Sequence, residues 1–122
     1  MIVIAVMVAG ALGALGRFIV DGLVKSRRAS TFPAATLVIN IGGSLLLGVI
    51  AGLVMFHAVP ADVKAVVGTG FCGGYTTFST ASFETVRLAQ QRRSWLALTY
   101  AMASVLGSVA ACALGLVLAW AL

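Results

Sequence analysis

The sequence is short of charge. Only 9% of its 122 residues are Asp, Glu, Lys or Arg, where a soluble domain carries roughly 25%. A chain so poor in ions cannot cover a globule with wetted side chains. With 61% apolar residues, its natural solvent is the bilayer. Acidic residues are scarcer still: Asp21, Asp62 and Glu84 are the whole set, and His57 is the single histidine. The two cysteines, Cys72 and Cys112, lie far apart inside apolar runs. That excludes a disulfide framework and any cysteine-type metal spacing, and leaves them as small apolar side chains. No nucleophile–base set, phosphate loop or His/Cys/carboxylate cluster is present, so the chain is not read as an enzyme. The net charge of +5 comes from short basic groups between apolar runs. That is the pattern of membrane loops facing anionic headgroups and not of a nucleic-acid footprint.

What remains is long hydrophobic runs. A spanning helix needs about 20 apolar residues, and four fit in residues 1–122 as one all-α membrane domain. The expected spans are residues 2–24, 35–56, 65–88 and 95–120. The first begins at Met1 without a positive lead and is read as a retained span and not as a cleaved signal. Its Gly10 and Ala14, four apart, admit close approach of another helix. Trp95 and Trp120 bracket the fourth at interfacial depth. Lys25, Arg27, Arg28, Arg87, Arg92 and Arg93 fall at one end of the bundle, against Lys64 at the other. The positive-inside rule therefore predicts both termini outside, in a multi-pass protein of the inner (plasma) membrane.

The third span is the informative one. Gly68, Gly70, Gly73 and Gly74 weaken it as a continuous helix, and Thr76, Thr77, Ser79, Thr80 and Ser82 load it with hydroxyls. A break near Gly73–Gly74 is expected. Irregular backbone at membrane depth survives only when buried in protein or lining a polar cavity, so the break points to an ion path. The plainer alternative is close packing through glycine, with hydroxyls bonded back to their own helix.

Span two carries Asn40, with Ser44 one turn on. A mid-membrane amide either makes an interhelical hydrogen bond or offers its NH2 as a neutral donor to an anion. Span four carries Tyr100, Ser104 and Ser108 at spacings of four, which is either a hydrogen-bonding track or a polar seam. Arg17 and Glu84 are charges in or near apolar segments. They pair with one another, or Arg17 pairs with Asp21, or they serve a vestibule. His57 is assigned no role.

Three stretches resemble one family: Gly10-Ala11-Leu12-Gly13-Ala14-Leu15-Gly16-Arg17-Phe18, then Asn40-Ile41-Gly42-Gly43-Ser44, then Gly70-Phe71-Cys72-Gly73-Gly74-Tyr75-Thr76-Thr77-Phe78-Ser79-Thr80. With the four-span layout, they make the chain similar to the Fluc/CrcB small fluoride channels. The resemblance implies an antiparallel dimer of four-helix subunits that exports fluoride passively and relieves its toxicity. It implies a structural sodium ion at the dimer centre, held by the backbone carbonyls of Gly73 and Thr76. It places Asn40, Phe78, Tyr100, Ser104 and Ser108 along the fluoride path. Neutral donors suit this ion, because fluoride is costly to dehydrate and conduction requires that it also leave. The positive edge of a phenyl ring can face an anion as well.

One position departs from that pattern. The family usually has a second phenylalanine three residues after the first, and here it is Ala81. Phe83, two residues on, falls on another helix face. Together with the one-sided basic residues, this raises the expectation of a subunit of fixed orientation. Its antiparallel partner is then an oppositely inserted paralogue; a second copy is the alternative, for a subunit that inserts both ways. Two other readings are a small four-span multidrug exporter, which needs a carboxylate in the first span where this chain has Arg17, and a non-conducting membrane subunit.

Overall fold

The structure, a computed structural model, describes residues 1–28 and 30–122. Among the described residues five helices follow in order: α1 (Ile2–Arg27), α2 (Ala34–Phe56), α3 (residues 61–75), α4 (Phe78–Gln90) and α5 (Ser94–Ala121). No strand occurs among the described residues. Helices α1, α2 and α5 are each long and apolar enough to cross a membrane, with mean hydropathies of 2.2, 2.3 and 2.2. The third span is shared between α3 and α4. Lys25 and Arg27, expected in a loop, sit instead in the last turn of α1, where cations meet the negative end of the helix dipole.

The helices pair through glycine. A Cβ on Gly13 would lie 2.1 Å from the Phe71 carbonyl oxygen, and one on Gly74 would lie 2.1 Å from that of Gly10. The α1–α3 seam is therefore backbone against backbone. Gly70 meets Val6 and Gly74 meets Gly10, so the contacts advance together along both helices, which run parallel. The α2–α5 pair follows the same rule: Gly48 meets Cys112, and Gly52 meets Leu116 and Ala119. Packing of this kind suits a bilayer, where burying apolar surface between helices gains little and close contact must supply the attraction.

Most of α3 is wound as a π-helix over Lys64–Cys72, closed by one α turn at Gly73–Tyr75. Widened turns of this kind are found frequently at functional sites. Far from the break, the His57 ring Nε2 lies 2.7 Å from the Ala119 carbonyl oxygen and ties the ends of α2 and α5 together.

Candidate functional site

The third span breaks at Thr76–Thr77, just past the glycine pair expected to break it. Thr76 is extended (φ −78°, ψ 161°) and so is Thr77 (φ −149°, ψ 118°). Glycine is not the direct cause. Gly70 and Gly74 serve the seam with α1, whereas Gly73 has nothing within 4 Å of its Cβ position. The break is held by competing hydrogen bonds. Asn40 Oδ1 accepts from the Thr77 N–H at 2.8 Å, and Asn40 Nδ2 donates to the Thr77 carbonyl at 2.9 Å. Both residues are buried, at 7% exposure each, so the pair stands where an unmet backbone group is costly.

This pinning has a direct consequence for two carbonyls. In a continuous helix the Thr77 N–H would bond to the Gly73 carbonyl four residues back; here Asn40 takes it. The Thr80 N–H would bond to the Thr76 carbonyl; here the Thr77 hydroxyl takes it at 3.2 Å, as the N-cap of α4. The Gly73 and Thr76 oxygens are thus released from the helix ladder.

A groove of about 690 Å³ lies against the break, between α2, α4 and α5. Asn40, Gly73, Thr76, Phe78, Ser104 and Ser108, all expected at the site, line it. Asn40 spends one amide hydrogen on Thr77, and its second is without a protein partner. The hydroxyls of Ser44, Ser82, Ser104 and Ser108 line the same groove and make no hydrogen bond among the described residues. Thr76 and Thr85 differ: their hydroxyls donate back to the Cys72 and Ala81 carbonyls, at 2.8 Å each. The Phe78 ring stands 86% exposed. The groove therefore offers neutral donors and an aromatic ring with no fixed charge.

Two expectations, for Tyr100 and for Arg17, are not met. Tyr100 does not line the groove. It is fully buried, and its hydroxyl donates to Glu84 Oε2 at 2.7 Å. Neither pairing expected of Arg17 forms: Glu84 is engaged by Tyr100, and Asp21 binds Lys25 Nζ at 2.7 Å. Arg17 is half-buried and has no ion pair among the described residues. Ala81 lines the groove, while Phe83 lies outside it and is 66% exposed. The residue that sequence reasoning missed is Thr77. Its hydroxyl was one of several in a run, and only the bonds of its backbone to Asn40, 37 residues away, set it apart.

Among the described residues no group of three or more His, Cys, Asp or Glu side chains stands together to hold a metal. A cation here would need carbonyl and hydroxyl oxygens.

Comparison with known proteins bears on this arrangement. The family model described as CrcB-like protein, Camphor Resistance (CrcB), matches residues 4–116. The chain is 47% identical over 116 residues to a protein of Leifsonia xyli subsp. xyli named fluoride-specific ion channel FluC 1, covering 95% of this chain and 85% of that one. It is 47% identical over 112 residues to FluC 2 of Mycobacterium tuberculosis, covering 92% and 86%. It is 42% identical over 119 residues to FluC of Thermococcus onnurineus, covering 97% and 95%.

Proposed function

The chain belongs to the CrcB family, and from that premise we propose how its groove serves a fluoride channel. The protein is a multi-pass membrane protein of the plasma membrane and acts as a fluoride-specific ion channel, not as an enzyme. Flow is passive and outward when cytoplasmic fluoride is high, and it relieves fluoride toxicity.

The observation that carries the reading is the set of neutral donors on one groove. The spare Asn40 N–H and the hydroxyls of Ser104 and Ser108 replace the water that fluoride gives up. None carries a charge, so the ion is held weakly enough to leave. The exposed Phe78 ring presents its positive edge to the same path. Tyr100 contributes at one remove, by holding Glu84. Arg17 and Glu84 lie outside the groove and act on it only through their field.

The working unit is a dimer of antiparallel subunits. Two features support it. Phe78 is 86% exposed at the groove, and Gly73 has open space where its own chain sets no demand for glycine. A sodium ion at the dimer centre fits the donor set. Gly73 and Thr76 have carbonyls freed from the helix ladder, and such hard oxygens suit a hard cation. Two from each subunit would surround it. The ion would supply fixed positive charge and join the subunits.

Ala81 and the basic residues gathered at one end of the bundle favour a paralogous partner of opposite orientation over a second copy. Several relatives carry a numeral in their names, FluC 1 or FluC 2.

The test is fluoride-electrode efflux from liposomes holding the purified protein, with and without sodium. Fluoride efflux that needs sodium supports the whole reading. Organic-cation efflux instead would favour the exporter, and no flux with or without a paralogue would favour a non-conducting subunit. Full flux from the protein alone would remove the need for a paralogue.

A further inference from the structure

A second cavity, of about 330 Å³, lies at the end of the molecule where α1 stops, α2 begins and α4 stops. It is remote in chemistry from the neutral groove. Lys25 of α1, Arg28 at its C-cap and Arg87 of α4 line it, with Ser30 and Thr31 of the connection between α1 and α2. Arg93 adds a third guanidinium at the rim, since its Nη1 donates to Thr31 Oγ1 at 3.0 Å. Two acids bear on this charge. Asp21 is paired with Lys25 at 2.7 Å. Glu84 also lines the cavity and accepts from Tyr100. Arg28 and Arg87 have no ion pair among the described residues. After Asp21 cancels Lys25 and Glu84 cancels one arginine, an excess of positive charge remains in a concave site.

The site stands at the membrane–water boundary, because it joins the basic C-terminal ends of α1 and α4 to the start of α2, and α1 and α2 are each apolar enough to cross a membrane. We propose that this cavity binds the phosphate of an anionic phospholipid, with Arg28 and Arg87 as its principal ligands. The planar guanidinium fork matches phosphate oxygens bidentately. A lipid brings that phosphate to the right depth while its acyl chains lie along the exposed apolar face of α1, where Leu23 stands outward. Glu84 keeps the anion toward the rim and away from the interior. The proposal does not depend on the conducting groove.

The experiment is native mass spectrometry of the full-length protein, titrated with phosphatidylglycerol, phosphatidylcholine or inorganic phosphate. The first phosphatidylglycerol should bind more tightly than phosphatidylcholine. The R28Q/R87Q variant should weaken it roughly tenfold or more. R27Q/R92Q removes the same charge from the same end but outside the cavity, and should change it less than about twofold. If R28Q/R87Q does not fold, R28K/R87K replaces it; with charge kept and the fork lost, it should still bind more weakly than R27Q/R92Q. Equal loss in the cavity and control variants would overturn the site in favour of diffuse surface charge. Displacement of the lipid by millimolar inorganic phosphate would overturn the lipid in favour of a free anion. Equal affinity for phosphatidylcholine would overturn the proposal outright.

Discussion

Both backbone polar groups of Thr77 are held by a single side chain, the amide of Asn40 in the neighbouring span, at 2.8 and 2.9 Å. The same amide therefore pins the break in the third span and presents its remaining N–H to the groove. Substitution tests both tasks. Asn40→Ala removes both; Asn40→Asp keeps an acceptor for the Thr77 N–H but sets a negative charge against the Thr77 carbonyl and the incoming anion. Fluoride efflux should be abolished in both. The folded state should lose about 2–4 kcal/mol in Asn40→Ala, from two buried hydrogen bonds unmade, whereas Asn40→Asp unmakes only the bond to the Thr77 carbonyl. Efflux and thermal unfolding in detergent measure the two effects side by side, and Asn40→Asp conducting at the wild-type rate would refute the role.

The Thr77 hydroxyl keeps the Thr76 carbonyl free by capping α4 in its place. In Thr77→Val the Thr80 N–H returns to the Thr76 carbonyl. The loss of the cap should cost about 1 kcal/mol, and the sodium concentration needed for half-maximal flux should rise. Thr77→Ser should retain the wild-type sodium dependence. A valine variant with unchanged sodium dependence would show that the Thr76 oxygen is not a ligand.

Gly73 and Gly74 are neighbours with opposite expectations. Alanine at Gly74 would drive its Cβ to 2.1 Å from the Gly10 carbonyl oxygen, and should destabilise the subunit by at least about 3 kcal/mol, at the upper end of overpacking costs. Alanine at Gly73 meets nothing in its own chain, so it should leave the secondary structure and thermal stability of the isolated subunit intact. Its effect should appear in assembly, as a shift from dimer to monomer in size-exclusion chromatography. If Gly73→Ala still dimerises and conducts normally, the second subunit does not pack there.

Ala81 lines the groove where a larger ring would complete its wall. In the protein reconstituted alone, Ala81→Phe should raise fluoride efflux severalfold, whereas Phe83→Ala, outside the groove, should leave it unchanged. The reverse order would assign the aromatic wall to Phe83.

Ser104→Ala and Ser108→Ala each remove a groove donor and should slow efflux by roughly tenfold, the worth of one neutral hydrogen bond. Tyr100→Phe removes only the bond to Glu84 and should slow it less. Equal effects would place the Tyr100 hydroxyl on the path itself.

Much of this site was legible in the chain. Asn40, Ser104 and Ser108 could be named because polar groups at membrane depth are conspicuous against apolar runs, and Phe78 through the family resemblance alone. Tyr100 could not be separated from the serines, since spacings of four share a helix face only approximately. An α-helix turns about 40° out of register every four residues, and over eight residues the stripe from Ser108 leaves the groove. The partner of Asp21 had a usable signal. An acid four residues before a base is the favoured order, which selects Lys25 over Arg17. The break itself lay beyond local reading. Glycine marked the right neighbourhood, but the position is set by Asn40, and no local propensity reports a contact across 37 residues.

The seam between α1 and α3 has a mechanical meaning. Backbone rests directly on backbone at Gly10, Gly13, Gly70 and Gly74, with no side chains between to bend or repack. The half of the third span ahead of the break is thereby clamped to its neighbour, and the other half is tied to α2 by Asn40. The discontinuity is not a hinge. The chain's own contacts hold the Gly73 and Thr76 oxygens in their released positions, so the cation proposed to bind them would not have to reshape the chain. Such a site would be preorganised, its affinity set at folding and not at the moment of capture.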